Sequence, residues 1–234
     1  MLSAARVTAR TPAREPLDED QRWPATIWWS AMPDMCLCRW VAFGTIPEVQ
    51  RFVRAARSKR PKTVRGRRRA SAEPLSFQQL WPLGPDDDPS DRYATPSTEP
   101  DDCSTTGVKR TGTTAARVSY SFLTIWGEPY ELVRHVSTQF PRLDFVLGAV
   151  APAVGEANSW YFRAGRGKNW VMGGRRHEQM YRQTYAAAGV DPEDDYIDPG
   201  LEYGLDIRFD HALMQEVVAQ WTVVRRAAAR RKRR

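Results

Sequence analysis

The sequence predicts an α+β fold, and three stretches carry that prediction. Leu37 to Phe43 alternates as a strand does, and a helical pattern follows within two residues. Val118, Tyr120, Phe122, Thr124 and Trp126 form one face of a period-two run, with Ser119, Ser121, Leu123 and Ile125 on the other. Leu213, Met214, Val217, Val218, Trp221 and Val224 recur at helical spacing near the C-terminus. With 234 residues, 41% of them hydrophobic, the chain can build one large domain or two small ones around a real core.

Residues 1–31 hold Pro12, Pro16 and Pro24 without periodicity and read as a disordered N-terminal extension, although Trp23, Ile27, Trp28 and Trp29 are apolar enough to dock. Residues 32–117 read as a β–α module with a long irregular insert. Gly44 breaks the first strand, and Thr45 with Glu48 has the spacing of a capping box. Ile46, Val49, Phe52, Val53 and Ala56 then share one helical face, so the helix is expected to run to about Arg57. From Ser58 to Gly112 the chain reads mostly as loop. It holds a basic run, the apolar patch Leu75, Phe77, Leu80, Trp81 and Leu83, and an acidic stretch from Asp86 to Asp102.

After the aromatic strand, Pro129 suits a helix start, and Leu132, Val133, Val136 and Phe140 follow at helical spacing. Strands are expected over 143–150 and 159–163, with a turn at Gly165-Arg-Gly167 and an extended Asn169 to Met172. Arg175 to Ala188 reads as a helix stopped by Gly189. Tyr203 to Phe209 alternates as a further strand, and Asp210 is placed to cap a last helix over 210–234 that ends in a basic tail. The order β-α-β-β-α-β over 118–209 is that of a ferredoxin-like domain.

Charge is distributed unevenly. Arg57, Lys59, Arg60, Lys62, Arg65, Arg67, Arg68 and Arg69 place +8 in thirteen residues, and Arg225, Arg226, Arg230, Arg231, Lys232, Arg233 and Arg234 place +7 in the last ten. The net charge is +7, so the rest of the chain stands at −8. Two dense cationic runs on an acidic body attract a polyanion, which names DNA or RNA as the expected partner and these fifteen side chains as the binding residues. Trp81 or Trp170 could stack bases beside them. A protein–protein interaction module is the alternative, with the basic runs solvated or neutralised by Asp86–Asp102 and Asp191–Asp198.

Other chemistry finds little footing. Cys36, Cys38 and Cys103 are an odd number, and Cys36 and Cys38 lack the spacing of a zinc knuckle or redox motif. In an extended segment those two are expected on opposite faces, as ordinary thiols of a reducing compartment. His135, His177 and His211 lie on three different expected helices, and His177-Glu178 lacks the second histidine of a zincin helix. Asp191, Glu193, Asp194, Asp195 and Asp198 lack the glycine and terminal glutamate of a calcium loop. Gly165, Gly167, Gly173 and Gly174 form no phosphate-binding loop. No catalytic residue, metal site or cofactor is therefore expected, and an enzyme of unknown chemistry ranks third. The apolar stretch Leu143 to Val154 is broken by Asp144, Gly148 and Pro152, and the N-terminus has no apolar signal core. A cytoplasmic protein without a membrane partner is expected.

Four short segments resemble a known family. Met32-Pro-Asp-Met-Cys36 with Arg39 to Gly44, Leu75-Ser-Phe-Gln-Gln-Leu-Trp-Pro82, Tyr120 to Trp126 with Pro129, and Phe140-Pro-Arg-Leu-Asp-Phe145 are similar, in this order, to motifs of the YubB-like proteins of plasmids, phages and genomic islands. The resemblance covers Met32 to about Arg163. It implies a ferredoxin-like domain in a mobile-element accessory protein of no established activity, and it points to Met32 as the start. Thr111-Gly-Thr-Thr-Ala115 and Ala151-Pro-Ala-Val-Gly155 depart from that family's tryptophan and acidic motifs, so no role for those groups carries over.

Overall fold

A computed structural model describes residues 35–58, 63–64, 67–68, 73–95, 100–125, 127–151, 156–193, 197 and 199–231. In chain order the elements are β1 (Met35–Thr45), α1 (Ile46–Ala56), β2 (Thr63–Val64), β3 (Arg67–Arg68), α2 (Phe77–Leu80), α3 (Pro89–Tyr93), β4 (Asp101–Thr105), β5 (Lys109–Arg110) and β6 (Ala115–Ile125). Then come α4 (Tyr130–Gln139), β7 (Asp144–Ala151), β8 (Glu156–Arg163), β9 (Arg166–Val171), α5 (Gly174–Ala186) and α6 (Pro199–Arg231). The α+β class holds, built on an antiparallel sheet.

That sheet has seven strands in the order β4-β6-β1-β7-β8-β9, with β5 beside β4 on the edge of β6. Helices cover both faces. Trp40, Phe122, Phe145 and Phe162 point to one side and meet α1, α2 and α4. Leu37, Val41, Val146, Val150 and Ala157 point to the other and meet α6. Cover on both faces explains why β1 and β7 are almost continuously apolar. β1 lies between β6 and β7, each antiparallel to it, so residues 35–45 and 115–151 share one sheet across the expected 117/118 boundary. β6 and β7 are thereby parallel to one another, joined by α4.

The order β-α-β-β-α-β over 118–209 is corrected at its end: the expected strand Tyr203 to Phe209 lies within α6. Leu205, Phe209, Leu213, Val217 and Trp221 are all buried at four-residue intervals, a helical stripe. Leu205 and Phe209 fit an alternating strand because a four-residue helical spacing is also even, so either pattern puts them on one face. Asp210 is accordingly inside the helix and does not cap it. The capping box is also corrected. Thr45 makes no side-chain cap, Glu48 pairs with Arg51 at 3.2 Å, and the Ile46 amide donates to the Thr114 carbonyl at 3.1 Å. The insert expected as loop contributes the four strands β2 to β5 and two short helices.

Cys36 and Cys38 do not face opposite sides. A pleated strand repeats every two residues, so both thiols enter the same core with their sulfurs 3.8 Å apart. Ala164 and Gly165, with φ of 50° and 79°, form the tight turn between β8 and β9. Among the described residues no helix is long and apolar enough to cross a membrane.

Helix and sheet approach closely at Gly148. A Cβ there would stand 2.9 Å from Met214 Sδ, 3.0 Å from Val218 Cγ2 and 3.1 Å from Val217 Cγ2. Gly148→Ala is therefore expected to push α6 outward and destabilise the fold by about 1–3 kcal/mol. A denaturant melt checks this, and an unchanged midpoint would contradict the packing described.

Candidate functional site

Arg57, which opens one basic run, and residues 225–231 of the other lie toward opposite ends of β1. α1 starts at the Thr45 end of β1 and returns along it, so exposed Arg57 follows Ala56, whose carbonyl accepts from the Ser76 amide beside Phe77 and Phe122. Phe122 pairs with Cys38, near the start of β1. α6 runs on the opposite face. Leu213 clusters with Met35 and Leu37, whereas Trp221 clusters with Val41 and Phe43. The helix continues to Arg231, roughly 15 Å past Trp221. Arg225, Arg226, Arg230 and Arg231 thus ride the last turns of α6 beyond the Thr45 end of the sheet, where cations also suit the helix dipole. Arg67 and Arg68 form β3, paired with Val64 and Thr63 of β2. Lys59, Arg60, Lys62, Arg65, Arg69, Lys232, Arg233 and Arg234 lie outside the described residues, as does the extension 1–31.

Neither tryptophan is free to stack a base. Trp81 is sandwiched, with the His135 ring parallel to it at 4.3 Å and the Arg92 guanidinium 4.7 Å from its centroid. Burial, and secondarily Arg92, hold His135 below its ordinary value. Trp170 packs with the α6 clusters. The aromatic face of β6 is core: Tyr120 and Phe122 are buried, and the Tyr120 hydroxyl and Trp40 Nε1 have no hydrogen-bond partner among the described residues. The acids expected to neutralise the runs are partly engaged locally. Asp87 pairs with Arg92 at 2.6 Å, Asp88 accepts from the Ser90 amide at 2.8 Å, and Glu193 pairs with Arg182 at 2.7 Å. Asp194, Asp195 and Asp198 lie outside the described residues.

The concentration of perturbed ionisable groups lies elsewhere, under α6. Arg39 projects from the centre of β1 on the α6 face, and its Nε donates to Ser121 Oγ at 3.3 Å. Its neighbours across the sheet are Ser121 on β6 and Gly148 on β7, and Gly148 is followed by Ser159 on β8, which accepts from Trp221 Nε1 at 2.8 Å. Burial lowers the Arg39 guanidinium below its usual value. Burial, and then the Arg39 charge, push His211 down to about 4. On the α5 side of the helix, Tyr185 donates to Asp206 Oδ1 at 2.9 Å. Burial, and then Asp206 one turn away, push Asp210 up to about 8.

Only the period-two pattern could have flagged Arg39: it is the one charged residue on an otherwise apolar strand face of Met35, Leu37, Val41 and Phe43. Asp206 falls in the segment whose alternation reads as a strand, and nothing in the sequence couples His211 to Arg39. Among the described residues no group of three or more side chains could hold a metal ion. Comparisons with protein-family models, curated proteins and solved structures give no match to this chain.

Proposed function

We propose that this is a non-enzymatic accessory protein, of a mobile element or its host, that contacts DNA or RNA nonspecifically through Arg57–Arg69 and Arg225–Arg234. One observation carries the reading: +8 and +7 are confined to two short runs of a chain whose remainder is −8. The resemblance to YubB-like proteins supports the mobile-element setting. The parallel β6 and β7, joined by α4 around β1, support reading the sheet as a variant of the ferredoxin-like plan, here with helices on both faces. Recognition is by charge, since phosphate contacts add affinity without reading sequence.

Arg57 and residues 225–231 lie toward opposite ends of the sheet, and a separable prediction follows from treating the two runs as independent contacts. Neutralising either run alone should remove only its own share of the salt dependence, and the two losses in log affinity should add. Fluorescence anisotropy with a labelled duplex across a salt series measures both. If either single variant abolished binding entirely, independent contacts would be excluded.

A protein-interaction module is the second reading. It is favoured by the outer edge of β9, where Val171 is 58% exposed on the last strand of the sheet. A partner captured from nuclease-treated lysate equally by the wild type and by the doubly neutralised variant would favour it.

A further inference from the structure

We propose that Arg39 is the recognition group of an oxyanion site, taking a phosphate or a phosphate-bearing ligand on the sheet face beside α6. This site is distinct from the two basic runs. Arg39 is partly buried at the centre of the sheet, and Nε to Ser121 Oγ is its side-chain hydrogen bond among the described residues. None of the ion pairs among those residues involves it. A guanidinium carries five N–H donors in a planar fork, so most of its donors have no protein acceptor there. Withdrawing such a group from water is unfavourable unless an anion compensates, and a tetrahedral oxyanion matches the fork in a bidentate manner.

The surroundings supply further donors and an approach. Along the same face of β6 stand Arg117, Ser119 and Ser121, the arginine exposed and both serines partly exposed. α6 packs on β7 and β8, and no described helix is in substantial contact with β6 on this face. Among the described elements no helix covers the β6 side of Arg39, so the proposed anion would approach from there, with Ser121 as a second donor and α6 as the back wall. His211 feels the Arg39 charge from that wall. Two groups that repel each other as cations are both relieved by an anion placed between them.

The test uses the full chain and inorganic phosphate as the probe, with chloride at matched ionic strength as the reference. Phosphate at ~100 times its dissociation constant should raise the wild-type Tm by roughly 5 °C, whereas Arg39→Met should show no phosphate-specific rise. Phosphate also strengthens burial generally, so an equal rise in both proteins would overturn the proposal. Should Arg39→Met fail to fold, two measurements remain. Ser121→Ala should weaken the phosphate effect, and the His211 ring signals of the wild type should titrate at higher pH with phosphate than without. A His211 titration indifferent to phosphate would also overturn it.

The variant lacking both basic runs separates this site from the polyanion reading: its phosphate response should match the wild type, and losing it would refute a separate site. A short oligonucleotide offered to that variant at high salt then identifies the phosphate's source. Competition with inorganic phosphate indicates a nucleic-acid backbone, and no competition indicates a free phosphate compound.

Discussion

Phe52→Ala is expected to destabilise the protein by about 3–5 kcal/mol, the range for deleting a fully buried aromatic ring. Phe52 is completely buried and sits edge-on to four other rings: Trp40 at 5.3 Å, Tyr120 at 6.0 Å, Phe140 at 5.5 Å and Phe145 at 5.2 Å. These rings come from β1, β6, β7 and the end of α4, so a cavity there loosens every element that fixes the sheet's centre. Rigid β-sheet residues surround it and cannot collapse inward fully. The loss should appear as one transition, seen alike by far-UV circular dichroism and by tryptophan fluorescence. β1 is shared by both cores, so α6 should melt with α1. Two separated transitions would contradict a single sheet running through both halves of the chain.

Asp210→Asn is expected to stabilise the protein, and only above pH 4. The carboxyl sits near 3.8 in an unfolded chain but is pushed up to about 8 in the fold, by burial first and Asp206 second. Below pH 4 both states hold the proton and the residue is neutral in effect. Between pH 4 and about 8 the unfolded chain releases a proton that the native state keeps, so stability falls with rising pH. Above 8 the penalty is complete. Asparagine removes the titration while keeping the shape. The variant should therefore match the wild type at pH 3.5 and exceed it by on the order of 3 kcal/mol at pH 9. Denaturant melts across that range are the check. Tyr185 faces the same pair through its bond to Asp206, and Arg39 and His211 lie on the other flank of α6. A gap between the two proteins that does not change with pH would show that Asp210 ionises freely.

Much of this fold is legible from residue patterns, and the failures are instructive. β1, α1, β6 and α4 follow from hydrophobic periodicity because each buries a face that repeats at two or 3.6 residues, and α5 follows from its Gly189 stop. The segment around Tyr203 to Phe209 fails because alternation over seven residues cannot be told from a helical stripe until Leu213, Val217 and Trp221 are counted with it. The edge strand β4 is invisible because Asp101, Asp102, Ser104 and Thr105 carry no hydrophobic pattern; it is held by pairing with β6 and by Cys103 against the core. Charge is legible as composition, but the separation of Arg57 from residues 225–231 is not, since it depends on α1 and α6 lying on opposite faces of β1. Arg39 is similarly hidden: its partners Ser121 and Gly148 are neighbours only across the sheet.

Polyanion binding by the two basic runs is the function proposed for this protein. It is tested most directly by titrating the whole protein onto generic duplex DNA and single-stranded RNA at 50 and 200 mM salt. The comparison is a chain truncated before Arg225 and neutralised across Arg57–Arg69. Counterion release predicts that wild-type affinity falls by about 10³-fold or more between the two salts if 6 to 10 phosphates are contacted, and that the altered chain does not bind at either. Absence of wild-type binding at 50 mM salt, or equal binding by the altered chain, would contradict the account.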